Sequence, residues 1–174
     1  MGGQPEEVTG LIRGVIDGAV LSPPYNFQLK RQGFNEVVTQ NDLQKLGAEF
    51  ITNGIAARRG AVEKDKEPLL RLIKSVAEAT KIIITDRAYT KTIISKWMPM
   101  KDQHLLEEIT LFAGDSFAKE SFVPEGAIRT IVKELAQSNL IDAKAAGATP
   151  VTAYYDNRYV DKVKRSGFFN QLWR

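Results

Sequence analysis

The stretch Asp17-Gly18-Ala19-Val20-Leu21-Ser22-Pro23-Pro24 decides the predicted fold. A helical pattern leads into Asp17-Gly18, three small or apolar residues follow, and Ser22-Pro23-Pro24 stops them. This order predicts a short buried strand at residues 19–21 that delivers a stiff polar loop at its carboxyl end. Open α/β sheets bind their ligands at that edge, so the same stretch predicts a ligand-binding loop.

Two further strand candidates and a series of helices surround this stretch. Residues 34–39 contain Val37, Val38 and Thr39, which favour a pleated surface. Residues 50–57 form the other candidate, which Asn53-Gly54 interrupts as either a hairpin turn or a kink in one strand. Residues 25–32 are predicted to form a short helix that Gly33 ends. Beyond Pro68 apolar residues recur at helical spacing. Asp86 is the predicted N-cap of a helix with Tyr89, Ile93 and Ile94 inward, and residues 143–152 are predicted to be a connector. The pattern predicts a small sheet near the front of the chain and helices behind it.

The composition is that of an ordinary globular protein and excludes several kinds of site. The chain has 174 residues, of which 43% are hydrophobic and 26% charged, and it contains no cysteine. Its 24 basic and 21 acidic residues are scattered, so we expect no nucleic-acid partner. We expect no membrane span, because no apolar run reaches the length that one needs. The first residues lack the pattern of a signal peptide.

No residue pattern predicts catalysis. His104 is the only histidine and is expected at the surface, while Glu107 and Glu108 point to different sides of a helix. Arg58-Arg59 is expected to be the solvated end of a strand. The glycines do not have the spacing of a phosphate loop, and no nucleophile elbow occurs. The prediction is therefore no enzyme, no metal and no cofactor.

The loop at residues 22–25 has two interpretations. Two consecutive prolines fix its backbone, which lowers the ordering cost of presenting the Ser22 hydroxyl and the Tyr25 ring to a small molecule. The other interpretation is a rigid turn between a strand and a helix, with no ligand.

Four passages resemble one family, the ABC-transporter solute-binding proteins of the nitrate/sulfonate/taurine class, which share a fold with the thiamine-pyrimidine precursor-binding group. The first passage is Leu11-Ile12-Arg13-Gly14-Val15-Ile16-Asp17-Gly18-Ala19, continuing to Pro24. The others follow in the family's order: residues 50–58, residues 67–79, and Tyr154-Tyr155-Asp156-Asn157-Arg158 with Ser166-Gly167-Phe168. The resemblance covers nearly the whole chain but only the carboxyl-terminal part of such a protein.

The resemblance implies an incomplete α/β fold of the periplasmic-binding-protein type II kind, rich in helices and with a small mixed sheet. Residues 1–40 would be a remnant of the second lobe and the hinge crossover. Residues 41–174 would be the carboxyl-terminal part of the first lobe and mostly helical. The ligand would contact Ser22, Pro23, Pro24 and Tyr25 from the loop, together with Thr52 and Asn53.

The function implied by the resemblance is that of a partial solute-binding component of an ABC import system, for a small organic or anionic solute. Its partners would be the solute and, in the full-length context, an ABC permease, and its location periplasmic or otherwise extracytoplasmic. A chain on its own would have uncovered apolar faces, so a homo-oligomer is also predicted. The alternative is a sensory or protein-interaction module that reuses the same half-fold in a cytosolic regulator. An enzyme of the pyrimidine-precursor type is the third reading, although it would call for histidine and cysteine chemistry.

Overall fold

The structure is a computed structural model that describes residues 3–46, 49, 51, 53–98 and 100–174. These residues form a succession of α-helices and one 3-10 helix, Val151–Ala153. The α-helices are α1 (Gln4–Ile12), α2 (Tyr25–Arg31), α3 (Gln40–Lys45), α4 (Arg59–Lys64), α5 (Glu67–Thr85), α6 (Arg87–Trp97), α7 (Gln103–Ser116), α8 (Glu125–Gln137), α9 (Ala143–Ala148), α10 (Arg158–Arg165) and α11 (Phe168–Leu172).

The predicted α/β fold of the type II periplasmic-binding kind, with its small mixed sheet, is wrong. None of the described residues lies in a strand. Residues 19–21 connect α1 to α2 irregularly, and the side chain predicted to be buried at Val20 is 93% exposed. In the second candidate Val37 is 89% exposed. A strand needs a neighbour that completes its backbone hydrogen bonds, and the described chain offers these segments none.

The third strand candidate falls partly outside the described residues, which exclude positions 50 and 52. Residue 51 and residues 53–57 are neither helix nor strand. Ile55 is 44% exposed, and none of the described residues of this segment is buried.

The chain divides into two compact units, of which the first is Met1–Thr39 with Ile82–Phe117. Its core is the inner face of α7, where Leu105, Leu106 and Ile109 are buried. Phe27 of α2 contacts Phe112 of α7 edge to face, with 6.0 Å between ring centroids. Arg31 at the end of α2 binds two α7-side carboxylates, Asp102 at 2.6 Å and Glu108 at 2.9 Å. Aromatic packing and ion pairs thus join α2 to α7.

The second unit is Gln40–Lys81 with Ala118–Arg174. Its core combines buried residues of α5, α10 and α11: Leu70, Ile73, Ala77, Val160, Val163 and Phe169. The Asn157 side chain fixes the segment before α8, because its Oδ1 accepts from the Val123 N–H and its Nδ2 donates to the Val123 carbonyl, each at 2.9 Å.

Several predicted helix ends are confirmed. Asp86 caps α6, with its Oδ1 accepting from the Tyr89 N–H at 2.9 Å. Gly33 follows α2 with φ of +89°, and the Gly33 and Phe34 N–H groups bond back to carbonyls of the last turn. The predicted inward orientation of Tyr89 and Ile93 is wrong, since they are 51% and 38% exposed. Residues 143–152, predicted to be a connector, contain α9 and part of the 3-10 helix.

The described residues leave many large apolar side chains in water. Nineteen of them are exposed, including Val15, Val20, Val37, Leu46, Trp97 and Leu140, each above 70%. Only nine large apolar side chains are buried in the described part of the chain. Among the described residues, exposed large apolar side chains thus outnumber buried ones about two to one. Across the described residues, no helix combines the length and apolarity needed to cross a membrane.

Candidate functional site

The predicted ligand loop at residues 22–25 lies in the first unit, between α1 and α2. Gln4 of α1 contacts Ser22 twice: its Oε1 accepts from the Ser22 N–H at 3.1 Å, and its Nε2 donates to the Ser22 Oγ at 3.4 Å. The first bond is of ordinary length, whereas the second is at the long limit for a hydrogen bond. Gln4 therefore fixes the backbone of Ser22 more firmly than its hydroxyl.

The remainder of the loop is a turn that starts α2. The Ser22 carbonyl accepts from the Tyr25 N–H at 3.0 Å, and the peptide between Pro23 and Pro24 is cis. Pro23, Pro24 and Tyr25 are half-buried, while Ser22 is exposed. The loop therefore presents an exposed Ser22 hydroxyl and, three residues later, a half-buried Tyr25 ring.

The other two predicted ligand residues are Thr52 and Asn53. Asn53 is exposed and belongs to the second unit. Thr52 lies outside the described residues. The structure therefore groups Ser22, Pro23, Pro24 and Tyr25, and leaves the wider set of six a prediction.

His104 is exposed in the first turn of α7, as predicted. Its backbone N–H and that of Leu105 donate to the Asp102 carboxylate. The Leu105 N–H, followed by Arg31, lowers the pKa of Asp102. Asp102 thus serves as a charged helix cap. No group of three or more His, Cys, Asp or Glu residues suited to a metal occurs in the described part of the chain.

A first cavity, of about 430 Å³, lies in the second unit beside the start of α8. Glu125 and Arg129 line it together with residues 147–152. The Glu125 carboxylate accepts from Arg129 at 2.5 Å and from the Tyr155 hydroxyl at 2.9 Å. These bonds lower the pKa of Glu125, and the bond to Glu125 raises the pKa of Tyr155. Because Arg129 and Glu125 satisfy each other, the cavity has little capacity to recognise another charge.

A second cavity in the same unit, of about 400 Å³, is lined by Lys119, Glu120, Phe169, Asn170 and Trp173. Here a lysine ammonium lies over an indole ring, with 5.1 Å between the Lys119 Nζ and the Trp173 ring centroid. The second cavity combines an aromatic ring with the Lys119 ammonium. In the first cavity the cation, Arg129, is already paired with Glu125.

Sequence reasoning missed both cavities for different reasons. Glu125 and Arg129 are four residues apart on one helix, a spacing that predicts an ion pair and could have drawn attention to the first. Lys119 and Trp173 are 54 residues apart, and no local pattern connects them. The second cavity exists only because the chain folds back.

Comparison with protein-family models, curated proteins and solved structures finds no match to this chain.

Proposed function

We propose that this chain is part of the solute-binding component of an ABC import system for a small organic or anionic solute. In this proposal it acts joined to further polypeptide, meets an ABC permease in that full-length context, works in the periplasm or another extracytoplasmic space, and catalyses nothing. The observation that carries the proposal is the exposure of apolar side chains within the passage that resembles the family.

That passage contains Val15 and Val20, which are 76% and 93% exposed. Burying one such side chain contributes about 1.5–3 kcal/mol, so leaving both in water forgoes a large share of the 5–15 kcal/mol, roughly, that stabilises a typical domain. These exposures support a chain whose apolar stretch is covered by another part of a larger protein.

In the proposed site, the Ser22 hydroxyl and the Tyr25 ring contact the solute from the loop, with Pro23 and Pro24 holding the backbone. Gln4 donates to the Ser22 Oγ at 3.4 Å, which leaves the hydroxyl able to donate its own O–H to a solute oxygen. The shorter bond from the Ser22 N–H to Gln4 holds the backbone of the loop in place.

The test is a thermal-shift screen of small anions and heterocycles on the chain expressed with the polypeptide encoded immediately before it. We expect at least one solute to raise the melting temperature, since a ligand that binds only the folded state stabilises it. The double variant Ser22→Ala with Tyr25→Ala should lose that shift, and Tyr154→Ala, an exposed tyrosine of the second unit, should keep it. A shift that survives the double variant removes the loop from the site. No shift with any solute contradicts the proposed function.

The same exposed side chains also favour the alternative, a sensory or protein-interaction module of a cytosolic regulator. The two proposals differ in what covers Val15 and Val20: another part of a solute-binding protein, or a regulatory partner domain. An adjoining kinase or DNA-binding sequence, together with an absence of solute-dependent shifts, would favour the module.

A further inference from the structure

The second cavity is built around Trp173, whose indole is held from two sides. Its Nε1 donates to the Lys119 carbonyl at 3.2 Å, and the Lys119 ammonium lies 5.1 Å from the ring centroid. Phe169, 2% exposed, forms part of the lining next to it. An aromatic ring anchored in this way presents a fixed apolar surface, so a ligand that stacks on it loses little side-chain entropy of the protein.

The charge of the cavity favours an anion. Its one carboxylate, Glu120, is paired with Lys164 at 2.7 Å. Within the described residues, the Lys119 ammonium has no carboxylate at ion-pair distance and instead contacts the indole ring. An exposed ammonium beside an already neutralised carboxylate attracts a negative group.

We infer that this cavity binds a small aromatic anion, such as an aromatic carboxylate or sulfonate. The ligand's anionic group pairs with Lys119, and its ring packs against Trp173. The Asn170 side chain, at the cavity edge, can donate a hydrogen bond to the same anionic group.

Two simpler ligands fit the cavity less well. An inorganic anion would meet Lys119 but leave the aromatic wall in water, and an uncharged aromatic would cover the wall but leave the ammonium without an anion. The cavity is a depression of about 400 Å³ that is open to solvent, and a single substituted ring fits within it. This inference goes beyond the proposed function, because it concerns a ligand bound at the second cavity of this chain and not the solute at residues 22–25.

The chain offers its own fluorescent probe for the test. Trp97 and Trp173 are its two tryptophans, so Trp97→Phe leaves the cavity residue as the only indole. We expect benzenesulfonate to change the Trp173 emission with a saturable dependence on concentration. Methanesulfonate and benzyl alcohol, which lack the ring and the charge respectively, should produce no saturable change in the same range.

Matched lysine variants assign the effect to the cavity. Lys119→Gln should weaken benzenesulfonate binding about tenfold, the loss that follows removal of a charge-assisted hydrogen bond. Lys96→Gln is the control, since Lys96 also lies over an indole in the parent chain, at 5.7 Å from the Trp97 centroid, but in the first unit. Circular dichroism of each variant verifies that it folds.

Three results overturn the inference: an absence of saturable change with benzenesulfonate, equal affinity for methanesulfonate, or equal effects of Lys119→Gln and Lys96→Gln. If Lys119→Gln fails to fold, Asn170→Leu takes its place, because Asn170 is exposed and its replacement removes only the amide donor. Unchanged binding by that variant would then count against the site.

Discussion

Two leucines of α5 provide a direct test of the second unit's core. Leu70 is 7% exposed and belongs to the buried cluster with Ile73 and Val163, whereas Leu72, two residues on, is 47% exposed. Both lie inside the same helix, so replacing either by alanine changes the intrinsic helix propensity equally. The difference between the two variants therefore reports burial alone.

The magnitude follows from the atoms removed. Leu70→Ala deletes about three buried carbon groups, each contributing about 0.8 kcal/mol, and leaves a cavity that raises the total to about 3–4 kcal/mol. Leu72→Ala removes a half-exposed side chain next to solvent, for which we expect about 1 kcal/mol. Leu70→Ala should then be about 2–3 kcal/mol less stable than Leu72→Ala.

Urea unfolding followed by circular dichroism measures this difference. With a typical slope of about 1–3 kcal/mol per molar urea, the unfolding midpoint of Leu70→Ala should lie about 0.7–3 M below that of Leu72→Ala. Equal midpoints for the two variants would refute the packing of α5 against α10 and α11.

Three local features give further predictions. Gly33→Ala should lower the unfolding free energy by about 1 kcal/mol in urea titrations, because φ is +89° there, whereas Gly60→Ala in α4 should not. Asp86→Ala removes the cap that accepts from Tyr89 and should cost about 1 kcal/mol, with melting curves as the check. In the folded protein the pKa of Asp102 is lowered from 3.8, so the ionised carboxylate stabilises the folded state fully above that value and loses this effect as the pH falls below it. The difference in melting temperature between the parent and Asp102→Asn should therefore shrink under acid.

The helix ends could be read from the sequence because each depends on a few neighbouring residues. Asp86 needs only the N–H of Tyr89, and Gly33 only the carbonyls of α2 behind it. The strands could not be read in the same way, since a strand depends on a partner that may be distant in the chain. Val20 and Val37 have the composition of strand residues but no such partner among the described residues.

The candidate sites show the same limit. The sequence singled out Ser22 and Tyr25 from the neighbouring prolines but gave no sign of Gln4, which is 18 residues away and holds the loop. Lys119, which lies over the Trp173 ring in the second cavity, comes from the segment before α8 and is distant from Trp173 in sequence. Chemistry that depends on distant residues becomes visible only in the folded chain.

The most direct test of the proposed function follows the amides of residues 17–21 by hydrogen exchange. Among the described residues these amides donate no hydrogen bond, so in the chain alone we expect them to exchange at nearly unprotected rates. In the chain joined to the polypeptide encoded before it, covering Val15 and Val20 should slow their exchange at least about tenfold, and a bound solute should slow it further. Exchange at the same rate in both proteins would contradict the account.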